Sequence, residues 1–453
     1  MGLTVIVLAA GQGTRMRSDL PKVLQPLAGR PLLAHVLDKA RLLSPDDIRV
    51  VYGYGGERVK KAFQAEDLAW YAQAEQLGTG HAVQQAMAGI PEDHLVMILC
   101  GDVPQISETS LQALRTAAAD GMALLSARLE DPTGYGRVIR NAAGLVERIV
   151  EHNDARADEL EVNEINTGMM AIPAGRLTEW LSKLSNDNAQ GEYYLTDVIA
   201  MAVADGVPVG VAQTQTASEG LGVNDRRDLA RAERGVQRDI AEALMVAGVT
   251  LADPARLDVR GRVRAGRDVY IDVNAVFEGE VVLGDRVRIG PNVVLRDASI
   301  GNDTHVHANS HIEKSRVGAG CQVGPFARFR PEAELADGAK VGNFVEIKKS
   351  RIGRGSKVNH LTYIGDSKIG SGVNVGCGTV TCNYDGANKH QTVIGDGAFI
   401  GSGVQLVAPV TVEAGAVIGA GSTITKTAPA DQLTVARARQ VTVKNWHKPV
   451  KDK

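Results

Sequence analysis

Aromatic residues are scarce in this chain of 453 residues, at 4%, and cysteines number four. Its cores must therefore be filled by Ile, Val and Leu. The cysteines, Cys100, Cys321, Cys377 and Cys382, include no C-x2-C pair. A zinc site built from Cys377 and Cys382 with His360 or His390 is thus not expected, and neither is a secreted disulfide framework. No segment approaches ~20 consecutive apolar residues, so no membrane-spanning helix is read. No basic region precedes the first apolar run, and a cytoplasmic location is expected. The net charge is only −3, which gives no global attraction to nucleic acid or an anionic membrane. Anionic ligands would have to be held by local clusters.

Glycine, at 50 residues, is what the chain has in quantity. Much of it follows an aliphatic residue that recurs every six positions. The run passes through Ile271, Phe277, Leu283, Ile289, Leu295 and Ile300 and continues to Val375, then resumes from Ile394 to Ile424. A hexapeptide period predicts a parallel β-helix, in which no coil buries its own face and stacked coils share one core. Three steps from Leu283 reach Ile300, and further triplets reach Val317, Leu335, Ile352 and Ile369, giving coils of 17 or 18 residues. The shortened step is always the third, so one corner of a three-sided prism should be tighter than the others.

The first 225 residues alternate short apolar runs (Leu3–Leu8, Arg49–Tyr52, Leu95–Leu99, Met122–Ser126) with segments of helical spacing. That alternation predicts an α/β domain with a mainly parallel, Rossmann-like sheet covered on both faces. Arg226–Ala247 reads as one helix with Leu229, Val236, Ile240, Leu244 and Ala247 near one stripe, a rod of roughly 30 Å closed by Gly248. The expected domains are therefore 1–225, a linker helix over 226–248, and the β-helix with a basic tail over 249–453.

The strand Leu3–Leu8 runs into Ala9-Ala10-Gly11-Gln12-Gly13-Thr14-Arg15, with Lys22 following. Small residues at the end of a parallel strand let backbone N–H groups approach an anion, and Arg15 and Lys22 add two cations there. The loop lacks the Gly-Lys-Ser/Thr of a Walker motif and the Gly-x-Gly-x-x-Gly of a dinucleotide fingerprint. Asp102 sits just past the strand Leu95–Leu99, at the carboxyl end where open sheets bind ligands. One hard carboxylate there suits Mg²⁺ shared with phosphates and water.

Leu8-Ala9-Ala10-Gly11-x-Gly13-Thr14-Arg15-Met16 with Pro21-Lys22 resembles the signature of the sugar-phosphate nucleotidylyltransferases. The resemblance continues through Gln73-Ala-Glu-Gln-Leu-Gly78-Thr79, Cys100-Gly101-Asp102, Gly134-Tyr-Gly136-Arg, Glu151, Asn166-Thr-Gly and Gly191-Glu-Tyr-Tyr194-Leu-Thr-Asp. Joined to hexapeptide repeats, it covers essentially the whole chain and is similar to the bifunctional N-acetylglucosamine-1-phosphate uridylyltransferase/glucosamine-1-phosphate N-acetyltransferase family. The resemblance implies UTP as co-substrate, with Arg15 and Lys22 holding the triphosphate and Gln73, Gly78 and Thr79 reading uracil. It further implies that Gly136, Glu151, Asn166 and Tyr194 hold the N-acetylated sugar and that Asn224 joins Asp102 on Mg²⁺. Cys100 precedes Gly101-Asp102, where close packing is its expected role.

Acetyl transfer from acetyl-CoA to the amine of glucosamine 1-phosphate needs a base, and a histidine near pKa ~6.5 fits. Val358 and Ile364 keep the inward register, which puts His360 off the core and free to meet substrate. The pattern His360-Leu-Thr-Tyr363 resembles the family's general-base segment. Arg330 and Lys348 follow inward Phe329 and Ile347, and with Lys389 would hold the sugar phosphate. The 19-residue gap from Val375 to Ile394 holds Asn383, Tyr384 and Lys389 and is expected to extrude as a binding loop. By resemblance, Asn374 and Asn383 contact sugar or acyl group, and Cys377, Ser402, Ala420 and Arg437 line the acetyl-CoA path. Cys377 stands where the family usually has a small residue such as Ala. The resemblance also implies a left-handed coil and a homotrimer with each acetyl site between neighbouring prisms. The competing expectation is a monofunctional sugar-1-phosphate nucleotidylyltransferase whose β-helix serves only assembly.

Overall fold

The computed structural model describes residues 2–451, which divide between Val236 and Gln237 into two compact units. In the first, apolar runs buried on both faces build a sheet in the order Val209–Gln213, Met122–Arg128, Glu164–Pro173, Leu95–Cys100, Leu3–Ala9, Asp47–Tyr52, Ala69–Ala72. Successive side chains of a strand alternate between faces. Val5 and Val7 accordingly join one apolar cluster and Ile6 the other. The helices Leu32–Leu42, Gly56–Ala62 and Glu108–Ala117 cover the first face, and Thr79–Gln85, Ala174–Leu181 and Asp197–Ala204 the second.

The sheet is parallel along most of this path. Glu164–Pro173 is the exception, antiparallel to both Leu95–Cys100 and Met122–Arg128, with a register shift between Asn166 and Met170. A hairpin of Arg137–Arg140 and Val146–Val150 lies off the main path. The central strands Leu3–Ala9 and Leu95–Cys100 run side by side in register, so their carboxyl ends bring the glycine loop and Asp102 to one edge.

In the second unit, strands of two to nine residues wind into one continuous 25-stranded sheet. The register climbs from Leu283 to Ile300, Val317, Leu335, Ile352 and Ile369, as the hexapeptide count requires. Every recurring aliphatic residue from Ile271 to Ile424 is at most 4% exposed. Each such side chain contributes about 1.5–3 kcal/mol by leaving water, so the prism gains stability coil by coil.

The prism starts at Thr250–Leu251, which pairs with Tyr270–Ile271. Two expectations need correction. The repeat does not lapse at Val375: Thr381 takes the next inward place, 1% exposed, and its hydroxyl accepts from Gly365 N and donates to carbonyls of Tyr363 and Gly365. Only the segment after Cys382 is extruded, and the pairing then jumps from Ile369 to Ile394. Finally, the long helix spans Arg226–Val246, and Ala247 is exposed beyond its end. The rest of the expected stripe packs inward, Leu229 and Val236 in the first unit and Ile240 and Leu244 in the second, and small residues join it. Ala232 packs with Leu27, Leu32 and Val223 in the first unit, while Ala241 is fully buried and Leu244 joins the prism core in the second. Gln237 fastens the second half by accepting from Val259 N at 2.8 Å and donating to Val259 O at 2.7 Å.

Candidate active sites

At the carboxyl edge of the first sheet lies a cavity of about 540 Å³. Leu8, Ala9, Ala10, Gly11, Lys22, Gln73, Gly78, Thr79, Cys100 and Asp102 line it. Gly101 fixes the rim by donating its N–H to Leu8 O at 2.9 Å. Lys22 Nζ bonds both Asp102 Oδ2 and Asn224 Oδ1, the latter at 2.9 Å. Arg15 donates to the same Asn224 oxygen at 3.1 Å. Val223 N bonds Asp102 O at 2.9 Å, which is how residues so distant in sequence come to share one ammonium. Two hard oxygens converging on one cation suit a divalent ion with phosphate and water completing its shell. Among the described residues, no group of three or more His, Cys, Asp or Glu is placed to hold a metal.

Gln73 is 4% exposed; its Nε2 is engaged by Gly78 O at 3.0 Å and His81 Nδ1 at 3.1 Å. The amide is thereby fixed in orientation. Burial and the Asp102 carboxylate push the Cys100 thiol up to about 12, so it is a neutral packing group, with Sγ against Gly168.

Gly136, Glu151, Asn166 and Tyr194 do not line that cavity. They form an adjoining cluster stitched to it through the segment 192–196. Tyr193 N donates to Leu77 O and Gly80 N to Tyr193 O, both at 2.8 Å, and Leu195 N donates to Thr79 Oγ1 at 3.1 Å. Thr196 Oγ1 donates to Glu151 Oε1 at 3.0 Å, and burial pushes the Glu151 carboxyl up. A Cβ on Gly136 would lie 3.1 Å from Glu151 Oε2, so a side chain there would crowd that carboxylate. Tyr194 donates to Asp154 Oδ2 at 3.3 Å; burial first and this carboxylate second push its hydroxyl to about 12.

On the prism, His360 is exposed, and its Nδ1 meets Asn343 Oδ1 at 2.5 Å. An amide oxygen only accepts, so Nδ1 carries the hydrogen and Nε2 the lone pair. The register stacks Val358, Val375, Ile400 and Ile418; two residues beyond each come His360, Cys377, Ser402 and Ala420, at one corner of successive coils. Backbone bonds tie the column: Gly378 N to His360 O, Gly403 N to Cys377 O, Gly421 N to Ser402 O. Arg437 caps it, donating to Ala420 O at 2.6 Å.

The next side of the prism carries Arg330, Lys348 and Tyr363 in stacked coils. The Lys389 ammonium lies against Lys348 and holds its amine below the usual lysine range, with burial and Arg330 acting the same way. Asn383 donates to Asp366 Oδ2 at 2.6 Å, and Tyr384 is exposed on the extruded loop. Asn374 stands apart: it pairs with Lys357 and Phe399 on the preceding side.

Residues 5–160 match the MobA-like NTP transferase domain, and residues 266–297 and 391–426 match the bacterial transferase hexapeptide. The chain is 57% identical over 452 residues to the bifunctional protein GlmU of Azoarcus sp. (strain BH72), covering 100% of both. It is 55% identical to that of Chromobacterium violaceum over 99% of both chains, and 54% identical to that of Ralstonia pickettii over 100% of this chain and 99% of the other. The chain belongs to the bifunctional GlmU family.

For a GlmU-family chain, the sequence motifs brought the cavity together more completely than the prism site. The prism of this family member is a left-handed parallel β-helix. Reading residues alone passed over Gln12, Val23, Gln76 and Glu192, which also line the cavity. Gln76 lies inside the quoted Gln73–Gly78 motif and donates to Ala10 O at 3.2 Å, a position its spacing could have flagged. Asp154 had no motif of its own. Among the described residues, no helix is long and apolar enough to cross a membrane.

Proposed function

We propose that the chain makes UDP-N-acetylglucosamine in two reactions at two sites. The GlmU-family membership supports both together. The prism (with tail, 249–453) acetylates glucosamine 1-phosphate, and residues 1–225 then join the product to UTP with release of pyrophosphate.

In the first reaction the sugar amine attacks the thioester carbonyl of acetyl-CoA. A C–N bond forms, the C–S bond breaks, His360 Nε2 takes the amine proton, and the leaving thiolate is protonated. Arg330, Lys348 and Lys389 hold the phosphate; two ammoniums kept side by side favour a bound dianion between them. Asn383, Tyr384 and Tyr363 border the sugar, and Cys377, Ser402, Ala420 and Arg437 follow the coenzyme along the corner column. A homotrimer would complete the site. Phe326 and Phe344 stack at 5.2 Å, and Leu361 is 60% exposed beside His360. An apolar ladder of that kind suits a second copy, which would also bring Asn374 to a site it does not reach alone.

In the second reaction a sugar-phosphate oxygen attacks the α-phosphorus of UTP. Arg15 and Lys22 hold the triphosphate against the loop Leu8–Gly11. The Gln73 carbonyl, which has no protein partner among the described residues, faces uracil N3–H with Gly78 and Thr79. Gly136, Glu151, Asn166 and Tyr194 hold the acetamido sugar. Asp102 and Asn224 would hold Mg²⁺, which neutralises phosphate charge and activates the α-phosphorus when bound. A cytoplasmic location accords with these substrates.

The observation that carries this reading is the coexistence, in one chain, of an anion cradle with two converging cations and an exposed His360 heading a column of glycine-lined corners. The test supplies glucosamine 1-phosphate, acetyl-CoA, UTP and Mg²⁺ and follows thiol and pyrophosphate release. Release of both is expected. Pyrophosphate formed only when N-acetylglucosamine 1-phosphate is added, with no thiol, would leave the monofunctional alternative.

A further inference from the structure

The extruded segment after Cys382 lengthens its coil well beyond the hexapeptide count, and it closes on itself. Tyr384 and Lys389 form an antiparallel bridge, and His390 N donates to Asn383 O at 2.8 Å. Asp385 sits at the centre. Its Oδ1 accepts from Ala387 N at 2.8 Å and Asn388 N at 2.6 Å, and its Oδ2 meets His390 Nε2 at 2.7 Å. Those backbone N–H groups, and then His390, hold the Asp385 carboxyl well below the usual carboxylate range. It is therefore ionised at neutral pH, and the histidine must be the donor.

This geometry has a consequence for charge. Lys389, immediately before His390, lies against Lys348, with Arg330 also near. Like charges repel, so a loose loop would carry Lys389 away into water. A hairpin of this length, exposed at its tip, has little buried area to hold it in place. Asn383 at its base is fixed to Asp366, a bond that anchors the root of the loop and not the lysine's own strand. Beside the Tyr384–Lys389 bridge and the His390 N–Asn383 O bond, the Asp385–His390 contact is the side-chain tie across the loop next to the lysine.

We infer that Asp385 and His390 are a positioning pair that clasps the loop and holds Lys389 against Lys348, setting the affinity of the phosphate end of the acetyl acceptor. Neither side chain touches the reacting atoms. The inference rests on the reading of this side of the prism as the acceptor site.

The test uses the full chain with His390→Ala and with His390→Gln, whose amide can still donate to Asp385. An exposed charge-assisted contact changes an equilibrium by up to about fivefold. KM for glucosamine 1-phosphate is expected to rise about fivefold in H390A, with kcat and the KM for acetyl-CoA within about twofold, and H390Q should recover most of the loss. A merely structural role would raise both KM values together and would not distinguish the two variants. An unshifted KM in H390A, or H390Q as impaired as H390A, overturns the clasp while leaving the acceptor site intact. Absence of acetyl transfer in the unaltered chain would instead overturn the site and the clasp together.

Discussion

Gly78 holds a backbone conformation that almost no other residue adopts, with φ 109° and ψ 175°. A Cβ there would stand 2.6 Å from Tyr193 O and 2.8 Å from Tyr193 N, both backbone atoms that no rotamer change can move aside. Gly78→Ala therefore carries two penalties. The conformation itself costs on the order of 1–3 kcal/mol for a side-chain-bearing residue. Relieving the overlap separates the segment 192–195 from Leu77 and Gly80, weakening two 2.8 Å bonds worth about 1 kcal/mol each. If closure of that segment is needed to seat the sugar beside uracil, some 3 kcal/mol must be recovered on binding. That corresponds to roughly a hundredfold in kcat/KM for uridylyl transfer. Steady-state pyrophosphate release reads it, with acetyl transfer by the same preparation as the internal control and expected unchanged. A loss smaller than about threefold would refute the coupling between the Gly78 turn and the Tyr194 segment.

Two further expectations are independent of that one. Since Cys100 is pushed up to about 12, only about one thiol in ten thousand is ionised at pH 8, and alkylation there should be negligible, rising about tenfold per pH unit; peptide mass spectrometry showing Cys100 labelled as fast as a free model thiol contradicts that upward shift. Asn343→Ala removes the acceptor that orients His360, and losing one net hydrogen bond of about 1 kcal/mol should lower kcat for acetyl transfer about fivefold while both KM values stay put; an unchanged kcat means His360 is oriented by something else.

The prism was legible because its inward positions are bulky, aliphatic and evenly spaced, so register follows from counting. The count failed at Thr381, where a hydroxyl satisfied by Gly365 and Tyr363 replaces a hydrocarbon; polarity alone reads as a break. The first sheet was legible in four strands marked by apolar runs, while the short parallel edge strands Ala69–Ala72 and Val209–Gln213 carry too few apolar residues to stand out. Glu164–Pro173 was not, since Asn166-Thr167-Gly168 interrupts it and its antiparallel direction depends on partners far away in sequence. The cavity residues emerged from motifs that place small residues and cations at a strand end. Asp154 and Asn343 did not, because each acts by holding another side chain. Such roles are visible only once Tyr194 and His360 have neighbours.

Two sites working independently on one polypeptide make a simple demand. His360→Ala alone and Asp102→Ala alone should each fail to form UDP-N-acetylglucosamine from glucosamine 1-phosphate, acetyl-CoA, UTP and Mg²⁺. Mixed in equal amounts, the two variants should form it, because the intermediate made by the second is the substrate of the first. Product from either variant by itself, or none from the mixture of two folded proteins, would contradict the assignment of one reaction to each site.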